Sequence, residues 1–369
     1  MKSKIIDISV ILILLLSVLS CRQQVVSSRS TVPFVSDILS DKYAPENLML
    51  RHHQEPVPSG DIVIIGADSL CMRFAEFFTS AETRDNVSGS HLQDDLPDFA
   101  GETLSCVIDD ADYSSMFNSL GEEAFREQVV RRTLAAVDTV LHISPYDIDG
   151  LGYKNPAKII ILADPFFAEY GAFDVATLFA SSGCGIPVIV PVDMVFSKAF
   201  AEAPDRNITV GLICGGAQSD TGIYRKRFSS VSSKCGKEGS ELFAFVNDGR
   251  DSLVHHFLDA YAASGMTRPL DAVIFDDIHI DVDLLKAEFA DMLSVHNESS
   301  MIYGRMISKD FEVIETKKLV AEYCYDVLRR DNLFTHNIAL PAVEFYRVFP
   351  EPRSSDGSII LINSIYVQD

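Results

Sequence analysis

Short runs of aliphatic and β-branched residues alternate along much of the chain with longer stretches whose apolar positions recur every three or four residues. Asp61-Ile-Val-Ile-Ile-Gly66 is a continuous apolar run of strand length, and residues 70–80 after it have helical spacing. The same reading predicts further strands at 103–108, 158–163, 186–190, 208–213, 242–246 and 272–275. It predicts helices at 122–141, 175–180, 193–203, 220–230, 252–263, 282–293 and 316–330. Strands with no polar alternation are buried on both faces, and strands joined through helices pair in parallel. The predicted fold class is therefore α/β, with Rossmann-like parallel sheets covered by helices. At 369 residues the chain is long enough for two lobes of ordinary size. The polar stretches at 81–102 and 142–156 read as insertions, and no repeat of fixed period is present.

The N-terminus has a different pattern. Lys2 and Lys4 precede an apolar run from Ile8 to Leu19, which ends in Ser20-Cys21. A basic start, a short apolar core and a small residue before a break are the features of an export signal. The run is shorter than the ~20 residues of a comfortable membrane span. A Cys directly after such a core resembles the signal of bacterial lipoproteins, although Val18-Leu19-Ser20 stands where Leu-Ala-Gly or Leu-Ser-Gly is commoner. The resemblance implies a signal peptide over 1–20, lipidation at Cys21 and a cell-envelope location, periplasmic or on the outer membrane, with the membrane held through the lipid. Residues 21–60 are polar and interrupted by Pro33, Pro45, Pro56 and Pro58, which predicts a tether. The body is then 61–350, with a C-terminal extension over 351–369.

Charge narrows the partners. With 31 Lys+Arg against 53 Asp+Glu the net charge is −22, so a phosphate backbone is repelled and no nucleic acid is expected. After Cys21, six cysteines remain at 71, 106, 184, 214, 235 and 324. In an exported protein they are open to two readings, disulfides or buried thiols.

In open α/β sheets, ligands bind beyond the carboxyl ends of the strands. The residues that follow the predicted strands are Asp68-Ser69, Asp109-Asp110-Ala111-Asp112-Tyr113, Asp164-Pro165-Phe166, Cys214-Gly215-Gly216 and Asp276-Asp277-Ile278-His279. Any one of these acids caps the next helix as readily as it serves a site. Five polar strand ends together point to a cleft. The isolated pairs His52-His53 and His255-His256 do not argue for a metal.

The order of these segments resembles the aspartate/glutamate racemase superfamily, glutamate racemase in particular. Ile64-Ile-Gly-Ala-Asp-Ser69 is similar to the family's first strand, and Val107-Ile-Asp-Asp-Ala-Asp-Tyr113 to its second, without the Pro-Tyr-Gly. Ile160-Ile-Leu-Ala-Asp-Pro165 falls where the family has Ala-Cys-Asn-Thr, and Ala272-Val-Ile-Phe-Asp-Asp-Ile-His279 where it has Gly-Cys-Thr-His. The segment from Ile208 to Tyr224 resembles Gly-Thr-x-x-Thr closed by Gly-x-Tyr, with Gly215 and Gln218 at the two Thr positions.

The resemblance implies two similar lobes, a site between them and no cofactor. It also implies that Asp164 and Asp277 stand in place of the two thiols that exchange the α-proton. A carboxylate is a weaker base than a thiolate by ~4.6 pKa units, about 6 kcal/mol. Asp68, Ser69 and His279 match the family's supporting groups, and Gly215-Gly216 offers N–H groups to an anion.

The expected function is an envelope protein that binds a small polar molecule, an amino acid or other carboxylate, in the cleft, with two-thiol racemisation lost. Two alternatives stand beside it. One is an active isomerase using Asp164, Asp277 and His279, or a displaced thiol from Cys71 or Cys214. The other is a two-lobed solute-binding lipoprotein. The export reading is checked by fractionation: Cys21→Ser is expected to move the protein out of the membrane fraction, with loss of an acyl mass at residue 21.

Overall fold

The computed structural model describes residues 29–145, 150–215, 221–247, 249, 252–276, 282–299, 303–337, 339–351, 354, 357–364, and the account below concerns these. The apolar runs form two sheets. The first has eight strands, β1 (Asp61–Gly66), β2 (Thr103–Ile108), β3 (Val140–His142), β4 (Leu151–Tyr153), β5 (Ala157–Leu162), β6 (Val188–Ile189), β11 (Ala342–Pro350) and β12 (Ile359–Asn363), in the order β4-β3-β12-β11-β2-β1-β5-β6. The second has four, β7 (Thr209–Gly215), β8 (Glu241–Asn247), β9 (Leu270–Asp276) and β10 (Ile307–Glu315), in the order β10-β9-β7-β8.

Both sheets contain the same parallel arrangement. In the first it is β2-β1-β5-β6 and in the second β8-β7-β9-β10, so each begins at an inner strand, steps one way, then crosses back. β1 corresponds to β7 and β5 to β9. The lobes are similar in winding and unequal in size. The larger sheet is mixed at one edge, where β12 runs antiparallel to β11 and β4 antiparallel to β3.

The helices explain why the inner strands lack polar residues. In β1, Val63 and Ile65 enter one core and Ile62 and Ile64 the other, so alternate positions are buried on opposite faces. α3 (Asp68–Ser80) covers one face with Cys71, Phe74 and Phe78, joined by Val320, Cys324 and Leu328 of α12 (Thr316–Arg330). The other face is covered by α5 (Glu122–Val137), α6 (Pro165–Tyr170) and α7 (Ala172–Ser182), with α4 (Tyr113–Leu120) beside them. Around the second sheet, α8 (Pro191–Ala201) and α9 (Thr221–Lys234) pack on one face. α10 (Leu253–Ala263) and α11 (Val282–Ser299) pack on the other. Among the described residues no helix is long and apolar enough to cross a membrane, and the apolar run at 8–19 lies outside them.

Two boundary expectations are corrected. The stretch read as a tether holds α1 (Pro33–Ser40) and α2 (Pro45–His52), and from Val32 onward the chain is one compact unit. Val32, Val35, Ile38 and Leu50 are buried in the first lobe's core. Two of the four prolines taken as interruptions, Pro33 and Pro45, sit at the first turn of these helices, where a missing N–H costs nothing. The Val32 N–H also donates to Asp174 Oδ1 at 3.1 Å, and that carboxylate is paired with Arg126 in a buried ion pair. The C-terminal extension is likewise part of the body, because β12 lies between β11 and β3 with Ile360, Leu361 and Ile362 buried. A short apolar run at the chain's end carries no periodicity from which to read this.

The cysteine question resolves toward thiols. All six described cysteines are unbridged, and Cys71, Cys106, Cys214 and Cys324 are buried.

A chain starting at Ser59 is expected to melt well below the full-length protein. Leu50→Ala alone should cost about 2–5 kcal/mol in urea denaturation, as for other fully buried leucines.

Candidate functional site

The winding of a doubly wound sheet leaves a crevice at the carboxyl ends of the two strands where the direction of crossing reverses. In the first sheet this lies between β1 and β5, and Asp164 follows β5. In the second it lies between β7 and β9, and Asp276 is the last residue of β9. The two acids occupy corresponding places in the two lobes, and the Asp276 charge acts on Asp164.

Asp164 is 2% exposed and caps α6, its Oδ1 accepting from the Phe166 N–H at 2.8 Å. Pro165 at the first helical position has no N–H to share that role. Burial pushes the Asp164 carboxyl up to about 7, and the charges of Asp109 and Asp276 act in the same direction against the single capping bond.

Asp109 follows β2 and is itself buried, ion-paired with Arg132 of α5 and accepting from the Ala111 N–H at 3.0 Å. Arg132 also donates to Gln128. Tyr113 opens α4, held there by Asp112, which accepts from the Ser115 N–H at 3.1 Å. The ring of Tyr113 packs on Phe167 at 4.9 Å, and its hydroxyl is buried near the Asp109 carboxylate. Burial pushes this phenol well above its usual range, with the Asp109 and Asp164 charges adding to it.

The second lobe answers with Tyr224 of α9, which is 5% exposed and donates to Asp276 Oδ2 at 2.5 Å. Burial raises the Tyr224 phenol strongly, and Asp276, Cys214 and Asp164 add to the effect. Beside it, α9 reaches the first lobe: Arg227 pairs with Asp193 of α8 and Glu169 of α6, and Lys226 donates to the Tyr170 hydroxyl at 3.1 Å.

The thiols are placed differently. Cys71 Sγ faces the carbonyls of Gly66 at 3.5 Å and Ile64 at 3.6 Å, inside the core. Its hydrogen bond with Cys106, followed by burial, holds the thiol well above the ordinary range. Such a thiol stays protonated near neutral pH and is a packing residue. Cys214 is also buried, its Sγ directed at the Phe245 carbonyl at 3.5 Å.

Of the residues expected from the sequence, Asp164 lies at the centre of this arrangement and Gly215 ends β7 half-buried. Asp68 and Ser69 are exposed in the first turn of α3. Asp68 lines a cavity of about 460 Å³ with Met72, Ile108, Phe345 and Arg347. Asp277, His279, Gly216, Gln218 and Cys21 lie outside the described residues. Asp109, Tyr113 and Asp276 stand among the strand-end residues read from the sequence without a role of their own, and the Arg132 partner of Asp109 and the Tyr224 bond to Asp276 have no sequence signal. Among the described residues no group of three His, Cys, Asp or Glu side chains could hold a metal ion.

No family model matches the chain, and no curated protein matches it by sequence. Among solved structures it is similar to glutamate racemase from Francisella tularensis in complex with D-glutamate. That match has 13% identity and a TM-score of 0.46, over 79% of this chain and 89% of the other. Glutamate racemase from Campylobacter jejuni aligns at 12% identity and a TM-score of 0.41, over 80% and 93%. An isoform of the enzyme from Bacillus anthracis aligns at 12% identity and a TM-score of 0.43, over 78% and 88%. The two-lobed α/β fold described above rests on its own strand order and packing.

The raised Asp164 pKa gives a signed prediction. The folded state holds this proton up to about 7, whereas the unfolded chain releases it near 3.8. The stability tied to that proton is therefore full below the lower value and is lost as pH rises through the upper one, by about 4 kcal/mol. Urea denaturation at about pH 5 and about pH 8 is expected to show Asp164→Asn gaining on the wild type as pH rises.

Proposed function

We propose that the protein is a lipid-anchored bacterial envelope protein that binds a small polar molecule where the carboxyl ends of its two parallel sheets meet, and that it does not carry out two-thiol racemisation. The observation that carries this reading is the placement of Asp164 and Asp276 at corresponding crossing points of the two lobes, with the Asp276 charge acting on Asp164 and Tyr224 bonded to Asp276. No thiol occupies either place, and the nearby Cys71 is locked into the core by its contacts. The signal-like N-terminus supports export, which suits this reading and the alternative of a two-lobed solute-binding lipoprotein alike.

A second reading, proton transfer by a carboxyl group, is favoured by one observation. Burial brings Asp164 up to about 7, recovering much of the basicity that the Cys-to-Asp difference takes away. Incubation in D₂O with both enantiomers of glutamate and aspartate separates the two. The proposed function expects no deuterium at the α-carbon. Washout that disappears in Asp164→Asn would replace it with the carboxylate enzyme, and washout lost only in Cys71→Ser or Cys214→Ser would restore a thiol mechanism.

A further inference from the structure

We infer that the protein associates with a second copy of itself through β8, the two strands pairing antiparallel about a two-fold axis at Ala244. Three observations carry it.

The first is an open edge. β8 is the last strand of the four-stranded sheet and is bonded on one side to β7. Glu241, opposite Thr209, donates its N–H to the Ile208 carbonyl, which fixes the alternation of the parallel ladder. Glu241, Phe243 and Phe245 therefore turn their backbone groups to β7, and Leu242, Ala244 and Val246 turn theirs away from it. Among the described residues no backbone group meets this outer row. Arg225 of α9 reaches the Leu242 carbonyl at 3.3 Å from outside the ladder, in keeping with that alternation. A carbonyl has a second lone pair, so this bond leaves room for another donor.

The second is what the other edges carry and this one lacks. β4 and β6 are three and two residues long. β10, at the far edge of the same sheet, has Lys309, Asp310 and Glu312 and a register shift against β9. Short strands, charges and irregular pairing keep an edge from adding strands. β8 is apolar from Leu242 to Val246, its register with β7 is unbroken, and Val246 is 40% exposed.

The third is symmetry. Two identical edges related by a two-fold axis across the sheet pair antiparallel, each presenting the same patch to the other. Centred on Ala244, the strand reads alike from both ends. Leu242 falls opposite Val246, Phe243 opposite Phe245 and Ala244 opposite itself, while Glu241 meets Asn247 rather than another acid. The outward residues Leu242, Ala244 and Val246 are then the pairs that exchange N–H and C=O bonds, and the phenylalanines fall at the closer pairs between them.

The net charge of −22 opposes association. Exposed charges more than ~8 Å apart are screened at physiological salt. Near the start of β8, Arg225 and Arg268 stand beside Glu238 and Glu241, so the charge at the edge itself is balanced.

Sedimentation equilibrium of the full chain in density-matched detergent tests this, with hydrogen exchange followed across residues 241–247. The expected result is a dimer, with exchange at β8 slowing as protein concentration rises. Val246→Lys places a charge on the exposed edge, and Ala244→Pro removes an outward N–H while leaving the β7 ladder intact. Each should raise the dimer dissociation constant by ~tenfold or more with Tm little changed. A chain that is monomeric at every concentration would overturn the inference, as would a dimer that both substitutions leave as tight as before. Should either variant unfold, the wild type decides: exchange at 242, 244 and 246 that does not change with concentration overturns the pairing.

Discussion

A carboxyl group shut away from water between two other acids is the constraint around which the centre of this protein is arranged. Asp164 must cap α6, and Pro165 leaves it a single capping donor at Phe166. That one bond favours the ionised form, while burial and the charges of Asp109 and Asp276 oppose it. The contest brings the proton on and off near neutrality, where an ordinary aspartate has long since lost it. The surroundings keep water out: α6 is buried along its length, and Tyr113, Phe125 and Phe166 pack with Tyr170 on the same side. A polar group held this way is costly, and such cost is commonly borne at sites of binding or chemistry.

The second acid is held by a helix that also ties the lobes together. Tyr224 and Arg227 are three residues apart on α9 and share a face. Tyr224 bonds Asp276, while Arg227 engages Glu169 on the helix that Asp164 caps. Lys226 adds its bond to Tyr170 on that helix. The placement of one acid relative to the other thus passes through a short stretch of α9. Arg227 is largely buried and paired with two carboxylates, so removing either partner disturbs a network with little water to replace it.

Buried ion pairs also set the far parts of the larger lobe. Lys158 and Glu102 are paired in full burial, and Lys158 donates to the carbonyls of Pro58 and Leu333, 2.9 Å each. One side chain therefore joins β5 to the segment ahead of β1 and to the segment after α12. Arg126 and Asp174 do the same for the N-terminal helices through Val32. Breaking a buried pair by removing one member costs about 3–5 kcal/mol, which makes these connections specific even where their net contribution is small.

The inner strands and their helices were legible in the chain because burial on both faces demands unbroken apolar runs such as Ile62–Ile65, and helices announce themselves by period. The strand-end acid at Asp164 was legible for the same reason, since the end of an apolar run marks the carboxyl edge of a parallel sheet. Elements too short to show a period were not. The eight residues of α1 and of α2 carry two turns each, and their prolines read as breaks until packing shows them at helix starts. β12 joins the larger sheet only because β11 returns to lie beside β2 after the whole second lobe. No local pattern encodes that pairing. The bond from Tyr224 to Asp276 joins a helix to a strand 52 positions further along, and the acidity of Asp164 answers to burial and to charges from both lobes. Residue types and their order determined which acids end the strands. Only the tertiary structure decided which of them are buried and feel one another's charge, because desolvation and charge act through space and not along the chain.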